Sequence, residues 1–481
     1  MRRELLRMDH VSVTANGELL LDNLNFQIFA GEIMGLLPCN YKGCDQLIDL
    51  ICVNSPISFG SVWYNGGTVN SYSYSDGSAN KVSVIGQESH LVEALSVVDN
   101  IFVLRKGFKK YFINEKVLRS QTERFFEEKG IRLDVRKRVS ALTSLERCLI
   151  ELGKALLSGC KLIIIDKPDN FLSQHELPEF QRMLREVRNE GAAILYIGNH
   201  HQDVFRIADR TSLYSDGRIV KIFEKSEMTD QMMAPYIREW FSQNRSADQE
   251  YEDGVMHFHR VKAGSLDGLG FVLHKGECLT LLDMDNRIAE DIQELLTGQQ
   301  ECADGWITLE HERYTPEQAE KYLEAGVAVI PKDSAVRLLF PDRTYMENLT
   351  FLLDRKLKKS LIPSRIQRSI HEEYRELVGD DIDEKNINAL PLEQQLTLVY
   401  YKMQLLHPKV MVCVQPLAKG DMYCRLKILK LLRGILKQGT AVLIITANVS
   451  DTLDISDRLM VVEEGRCAVS YDKKEFDRIV R

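Results

Sequence analysis

GAAILYIGNHHQDVFRIADRTSLYSDGRIV, residues 191–220, returns as GTAVLIITANVSDTLDISDRLMVVEEGRCA at residues 439–468, an offset of 248. The compact apolar run at its start, followed by Asp-Arg and a Gly-Arg turn, recurs in the same order. Working outward, KLIIIDKP from Lys161 returns as KVMVCVQP from Lys409 at the same offset. GEIMGLLP from Gly31 returns as GECLTLLD from Gly276, and FGSVWYNG, with Gly60, returns as DGWITLEH, with Gly305, both offset by 245. Four matches in one order, with a drift of three residues, define two copies of one domain.

Within each copy, short β-branched stretches such as VSVT and LLLDNLNFQI come first, bounded by Gly and Asn. Leu162–Ile165 and Ala193–Ile197 have the pattern of strands buried on both faces. Amphipathic stretches such as Asn114–Lys129 lie between. The alternation predicts an α/β domain with a mostly parallel sheet. The boundaries predicted are 1–241 for the first domain, a polar linker at 242–253 and 254–481 for the second.

The 481 residues are 44% hydrophobic and 27% charged, so sizeable cores can form and a wholly disordered chain is excluded. A net charge of −8 argues against a nucleic-acid binder. No apolar run reaches the ~20 residues that span a bilayer, and MRRELLRMDH lacks the apolar core of a signal peptide. Ten scattered cysteines read as free thiols of a reducing cytoplasm.

GQESHLVEALSVVDNIF (86–102), GKALLSGCKLIIIDKP (153–168) and IADRTSLYSDGRIV (207–220) resemble segments of the ATP-binding subunits of ABC transporters, specifically the tandem-domain ATPases of bacterial sugar importers. HPKVMVCVQP (407–416) and SDRLMVVEEGR (456–466) match the corresponding places in the second copy. The resemblance implies two tandem P-loop NTPase-like domains, each with a helical subdomain and an N-terminal antiparallel β part. It also implies ATP and Mg²⁺ as cofactors.

A P-loop needs glycines so that backbone N–H groups close on phosphate, a Lys for the β- and γ-phosphates, and a hydroxyl on Mg²⁺. The resemblance puts that loop at Pro38–Gln46, PCNYKGCDQ, whose vestigial binding positions are Pro38, Asn40, Gly43, Cys44, Asp45 and Gln46. Gly43 survives. Cys44 replaces the Lys and Asp45 the hydroxyl. A carboxylate 4 Å from a phosphate charge costs about 4 kcal/mol at an effective dielectric of 20, roughly a thousandfold in affinity. A Mg²⁺ ion using that carboxylate would soften the cost. The second loop, DMDNRIAED (283–291), has no glycine, carries Ala289 and Glu290 at the same two positions, and holds four carboxylates.

The Walker B strand should end in an Asp for Mg²⁺ and a Glu that positions the attacking water. Copy one keeps Asp166, a weak metal candidate, but has Lys167 in place of the Glu; copy two has Val414 and Gln415. Losing such a base costs about 10²–10⁴ in rate. The signature turns read LTSLE (142–146) and LPLEQ (390–394), without the glycine that permits close approach. The H-loop His becomes Asn199 and Ala447, with His200 and His201 expected at the surface. The adenine-stacking aromatic falls at Ala15. The Q-loop Gln87 either couples nucleotide to a membrane subunit or is an inherited surface residue. Asp166 is more simply satisfied by local backbone or Lys167, Cys39 and Cys44 are expected as free buried thiols, and Arg105–Lys110 as a solvated charged face.

As function, the resemblance with these losses implies a cytoplasmic subunit of a sugar importer, peripheral at the inner face of the membrane, that has lost its ATPase. Its partners would be permease subunits docking near Gln87–Arg105, with no nucleic acid and no direct sugar contact. The alternatives are a weakly active ATPase completed by an intact partner ATPase, and a soluble regulator or scaffold that uses the ABC dimer fold.

Overall fold

The computed structural model describes all residues except 1–2, 16, 79, 87, 103–114, 132, 174, 237–250, 252, 358–361, 419, 449–451 and 479–481. The chain divides into two compact units, Met1–Ile237 and Arg238–Arg481. Most of the expected linker, 242–250 and 252, lies outside the described residues.

Each unit has two sheets. In unit one an antiparallel sheet has the order Glu18–Phe29, Glu4–Ala15, Phe59–Tyr64, Gly67–Ser71, Tyr74–Ser75. The central sheet runs Arg218–Glu224, Arg210–Ser215, Ile33–Pro38, Ala193–Ile197, Leu162–Asp166, Val82–Ile85. It is parallel except for its antiparallel edge pair, Arg210–Ser215 with Arg218–Glu224. Unit two repeats that order with Arg466–Asp472, Arg458–Glu463, Cys278–Asp283, Ala441–Thr446, Val410–Val414 and Val327–Ile330. Leu162–Ile165 and Ala193–Ile197 are buried on both faces, as the apolar runs require. Each fully buried Leu or Ile contributes about 1.5–3 kcal/mol.

Helices cover the sheets and build the helical subdomains. Glu115–Glu128 and Ser144–Leu157 serve unit one, Ser364–Val378 and Leu392–Gln404 unit two. Ser144–Leu157 starts at a capping box. The Thr143 side chain accepts from Glu146 N–H, and Glu146 accepts from Thr143 N–H at 2.9 Å.

The repeat extends to single bonds. Arg210 Nε donates to buried Glu32 at 2.7 Å, and Arg458 Nε donates to buried Glu277 at 2.9 Å. Asn100 Oδ1 accepts from Val92 N–H, and Asn348 Oδ1 accepts from Phe340 N–H, each at 2.8 Å. These pairs place the three-residue drift. Six residues separate Ile85 from Val92 and nine separate Ile330 from Phe340. In unit two the extra chain forms a short helix, Ser334–Leu338, whose Val336 is 84% exposed.

Candidate functional site

In unit one the strand Ile33–Pro38 delivers the chain to a loop, and the helix Cys44–Val53 leaves it. Gly43 is left-handed, φ 73°, and an added Cβ would lie 2.2 Å from Leu20 O, so only glycine fits. The loop is braced by side chains. Asn40 Nδ2 donates to Asp216 Oδ1 at 3.0 Å, and Asn40 Oδ1 accepts from Asp216 N–H at 3.2 Å. Lys42 turns outward to Glu18, 3.0 Å away. Cys44 is buried, Asp45 is exposed and Gln46 is half-buried.

Tyr41, which sequence reasoning passed over, is the centre of this site. Its hydroxyl donates to Asn199 Oδ1 at 2.5 Å, and Lys167 Nζ lies 4.0 Å from its ring centroid. Lys167 also pairs with Asp166 at 3.6 Å. Asn199 Nδ2 donates to Asn170 Oδ1 at 3.1 Å. The loop after Ile33–Pro38, the end of the strand Leu162–Asp166 and the segment after Ala193–Ile197 are thus joined directly. The signal was in the sequence: an aromatic ring in a loop that must leave room for phosphate.

His200 corrects an expectation. It is not a surface residue: its side chain is 11% exposed and its Nε2 lies 3.5 Å from Asp169. The following helix, His201–Ile207, buries Val204, Phe205 and Ile207, which draws the preceding residues inward. Cys39 and Cys44 are buried thiols that are not joined in a disulfide. Ala15 is exposed and Ala447 buried. Gln87, the Arg105–Lys110 run and the stretch 103–105 of the expected docking surface lie outside the described residues.

Unit two has the same frame with different residues. The loop between Cys278–Asp283 and Ile288–Leu296 turns at Asn286, φ 54°. Gln415 Nε2 donates to Asn286 Oδ1 at 2.8 Å. Asp285 accepts from Glu464 N–H at 2.8 Å, as Asn40 accepts from Asp216. Asp283 is buried and accepts from Ile288 N–H at 2.9 Å. Burial raises its pKa, opposed by the backbone N–H groups of Ile288, Arg287 and Asp285. Asp291, which the sequence reading counted only as a charge, accepts from Ser265 N–H at 2.8 Å and ties down the turn at Gly264.

Unit one has a cleft of about 450 Å³, lined by Glu93, Ser144, Arg147, Cys148, Glu151 and Phe171. Arg147 pairs with Glu93 at 3.1 Å. Glu151 accepts from Ser89 Oγ and His90 N–H, while burial raises its pKa. In unit two Val92 gives way to Phe340, which packs on Phe351 with ring centroids 4.3 Å apart over Lys402. Among the described residues no group of three metal-binding side chains converges. No described helix is long and apolar enough to cross a membrane.

Residues 21–170 match the family model of the ABC transporter. The solved structure of RNase-L Inhibitor covers 98% of this chain and 92% of its own at a TM-score of 0.64 and 15% identity. An archaeal ribosome recycling factor, aABCE1, gives 0.63 at 14% identity over 98% and 91%. Those two likenesses show the fold. Fold and loops together define the class: two tandem domains with the ABC ATPase fold, of which residues 21–170 match the ABC transporter model. More narrowly, it is similar along its whole length to the tandem-domain ATP-binding subunits of sugar importers. It is 24% identical to the ribose import ATP-binding protein RbsA of Caldanaerobacter subterraneus, over 98% of this chain and 97% of that one. It is 25% identical to the galactose/methyl galactoside import ATP-binding protein MglA of Salmonella typhimurium, over 98% and 95%.

Proposed function

We propose that the chain is the cytoplasmic ATP-binding-type subunit of a sugar importer, docked on permease subunits, that binds Mg-ATP weakly or not at all and does not hydrolyse it. The observation that carries this reading is the direct bonding of Tyr41 to Asn199 and Lys167. The residues do not fit Mg-ATP. Cys44 offers no cation, Asp45 opposes phosphate, and Lys167 cannot serve as the base. In unit two, Ala289 and Glu290 repeat the loss, and Gln415 replaces the second carboxylate. With catalysis gone at both loops, what the fold still offers a transporter is its docking surfaces: the helical subdomains and the segments after Gln87 and after Lys332, which stands at the same 245-residue offset in unit two.

Isothermal titration of the folded protein with Mg-ATP tests this. Up to millimolar nucleotide we expect no heat of binding. A micromolar Kd would overturn the reading and make a hydrolysis assay the next step.

A further inference from the structure

Resting on that reading, we propose that both degenerate loops are self-liganded: Tyr41, held between Lys167 and Asn199, fills the phosphate seat of unit one, and the Asp283 carboxylate fills that of unit two.

In a working P-loop site the terminal phosphate lies between the loop and the residues that position the attacking water. Lys167 and Asn199 stand at two of those positions, and Tyr41 reaches both, one by its ring and one by its hydroxyl. A phenol placed there leaves no path for an anion to the same two groups. Asn170, bonded to Asn199, extends the closure. In unit two the loop N–H of Ile288 points at a carboxylate from the chain itself. A nest of backbone N–H groups selects an anion, and here the chain supplies one.

The two units reach this state with unrelated chemistry. The fourth loop residue touches the residue after the Walker B strand in both. In unit one the contact is Tyr41 with Lys167, an ammonium on an aromatic face. In unit two it is Asn286 with Gln415, an amide hydrogen bond. Lys167 and Gln415 share a left-handed backbone, φ 49° and 45°. The same closing contact is thus built twice, from different side chains at matching positions.

The test separates this inference from the reading beneath it. Binding of a fluorescent Mg-ATP analogue is compared in the wild type, in Cys44→Lys/Asp45→Thr, and in Tyr41→Gly/Cys44→Lys/Asp45→Thr. The double variant restores the loop's cation and hydroxyl and should stay within about threefold of the wild type. The triple variant should bind at least about tenfold tighter than the double. Equal tight binding by both, or no gain in the triple variant, overturns the role of Tyr41 while leaving the proposed function standing. Micromolar binding by the wild type overturns the proposed function; Tyr41→Gly alone then decides the inference, and an unchanged Kd sinks it. Hydrogen exchange gives a readout that needs no nucleotide. Tyr41→Ala should speed exchange of the 40–44 amides at least about tenfold, and Asp283→Ala that of Ile288 N–H. Unchanged protection in either variant overturns the corresponding half.

Discussion

Lys402 shows what a single residue reveals about the packing of unit two. It is 2% exposed, its ammonium donates to Leu338 O at 2.7 Å, and it lies 5.1 Å from the rings of both Phe340 and Phe351. No carboxylate lies within ion-pair range of it among the described residues, and burial lowers its pKa from 10.5 to about 8. The unfolded chain therefore binds the extra proton between pH 8 and 10.5, so stability rises with pH across that window. Below pH 8 the cost is fully present, about 3 kcal/mol by the size of the shift. Urea denaturation at pH 7.5 and pH 10 should show the wild type gaining about 2–3 kcal/mol relative to Lys402→Met. Parallel behaviour of the two proteins would mean that the lysine titrates normally. The partners of Tyr41 and Lys402 were invisible to motif reasoning for one reason. They lie more than a hundred residues away or on another element.

At the scale of elements, loop lengths were more legible than caps or contacts. Thr143 and Glu146, the second and last residues of LTSLE (142–146), close a capping box. The Glu146 carboxylate accepts from Thr143 N–H. Thr143→Ala should cost about 1 kcal/mol, measurable as a lower urea midpoint at unchanged slope. A loss below about 0.3 kcal/mol would mean the helix start is held by tertiary packing instead. The three-residue drift was readable as a number, but the helix Ser334–Leu338 that absorbs it was not. Helices of five residues carry too little periodicity to announce themselves. Under the importer reading this helix lies on the partner-facing side of unit two. Val336→Asp should then weaken copurification with permease subunits at least about fivefold while leaving the melting temperature within a degree or two, because Val336 is already exposed. Unchanged copurification would remove this helix from the interface.

Over the whole molecule the repeat fixed the architecture from sequence, because buried strands and the turns between them tolerate few patterns. Strand order repeats in both units, and so do the Glu32–Arg210 and Glu277–Arg458 pairs. The candidate site was legible as a set of replacements by resemblance: Cys44, Lys167 and Asn199 at the expected positions. Which side chains bond to one another there was not, since a list of replaced groups does not say. The consequence for the intact chain is thermodynamic. A ligand that binds only the native state stabilises it by RT ln(1 + [L]/Kd). An ATPase with a Kd of about 10 μM, given about 1 mM Mg-ATP, gains about 2.7 kcal/mol. For units of this size that is a rise of roughly 5–10 °C in the melting temperature. A self-liganded chain with a Kd above about 5 mM gains less than about 0.2 kcal/mol, below the resolution of a thermal scan. We therefore expect the melting curve to be unmoved by Mg-ATP and by Mg-ADP alike. Because the chain divides into two compact units, a shift confined to one of two transitions would identify which loop admits nucleotide.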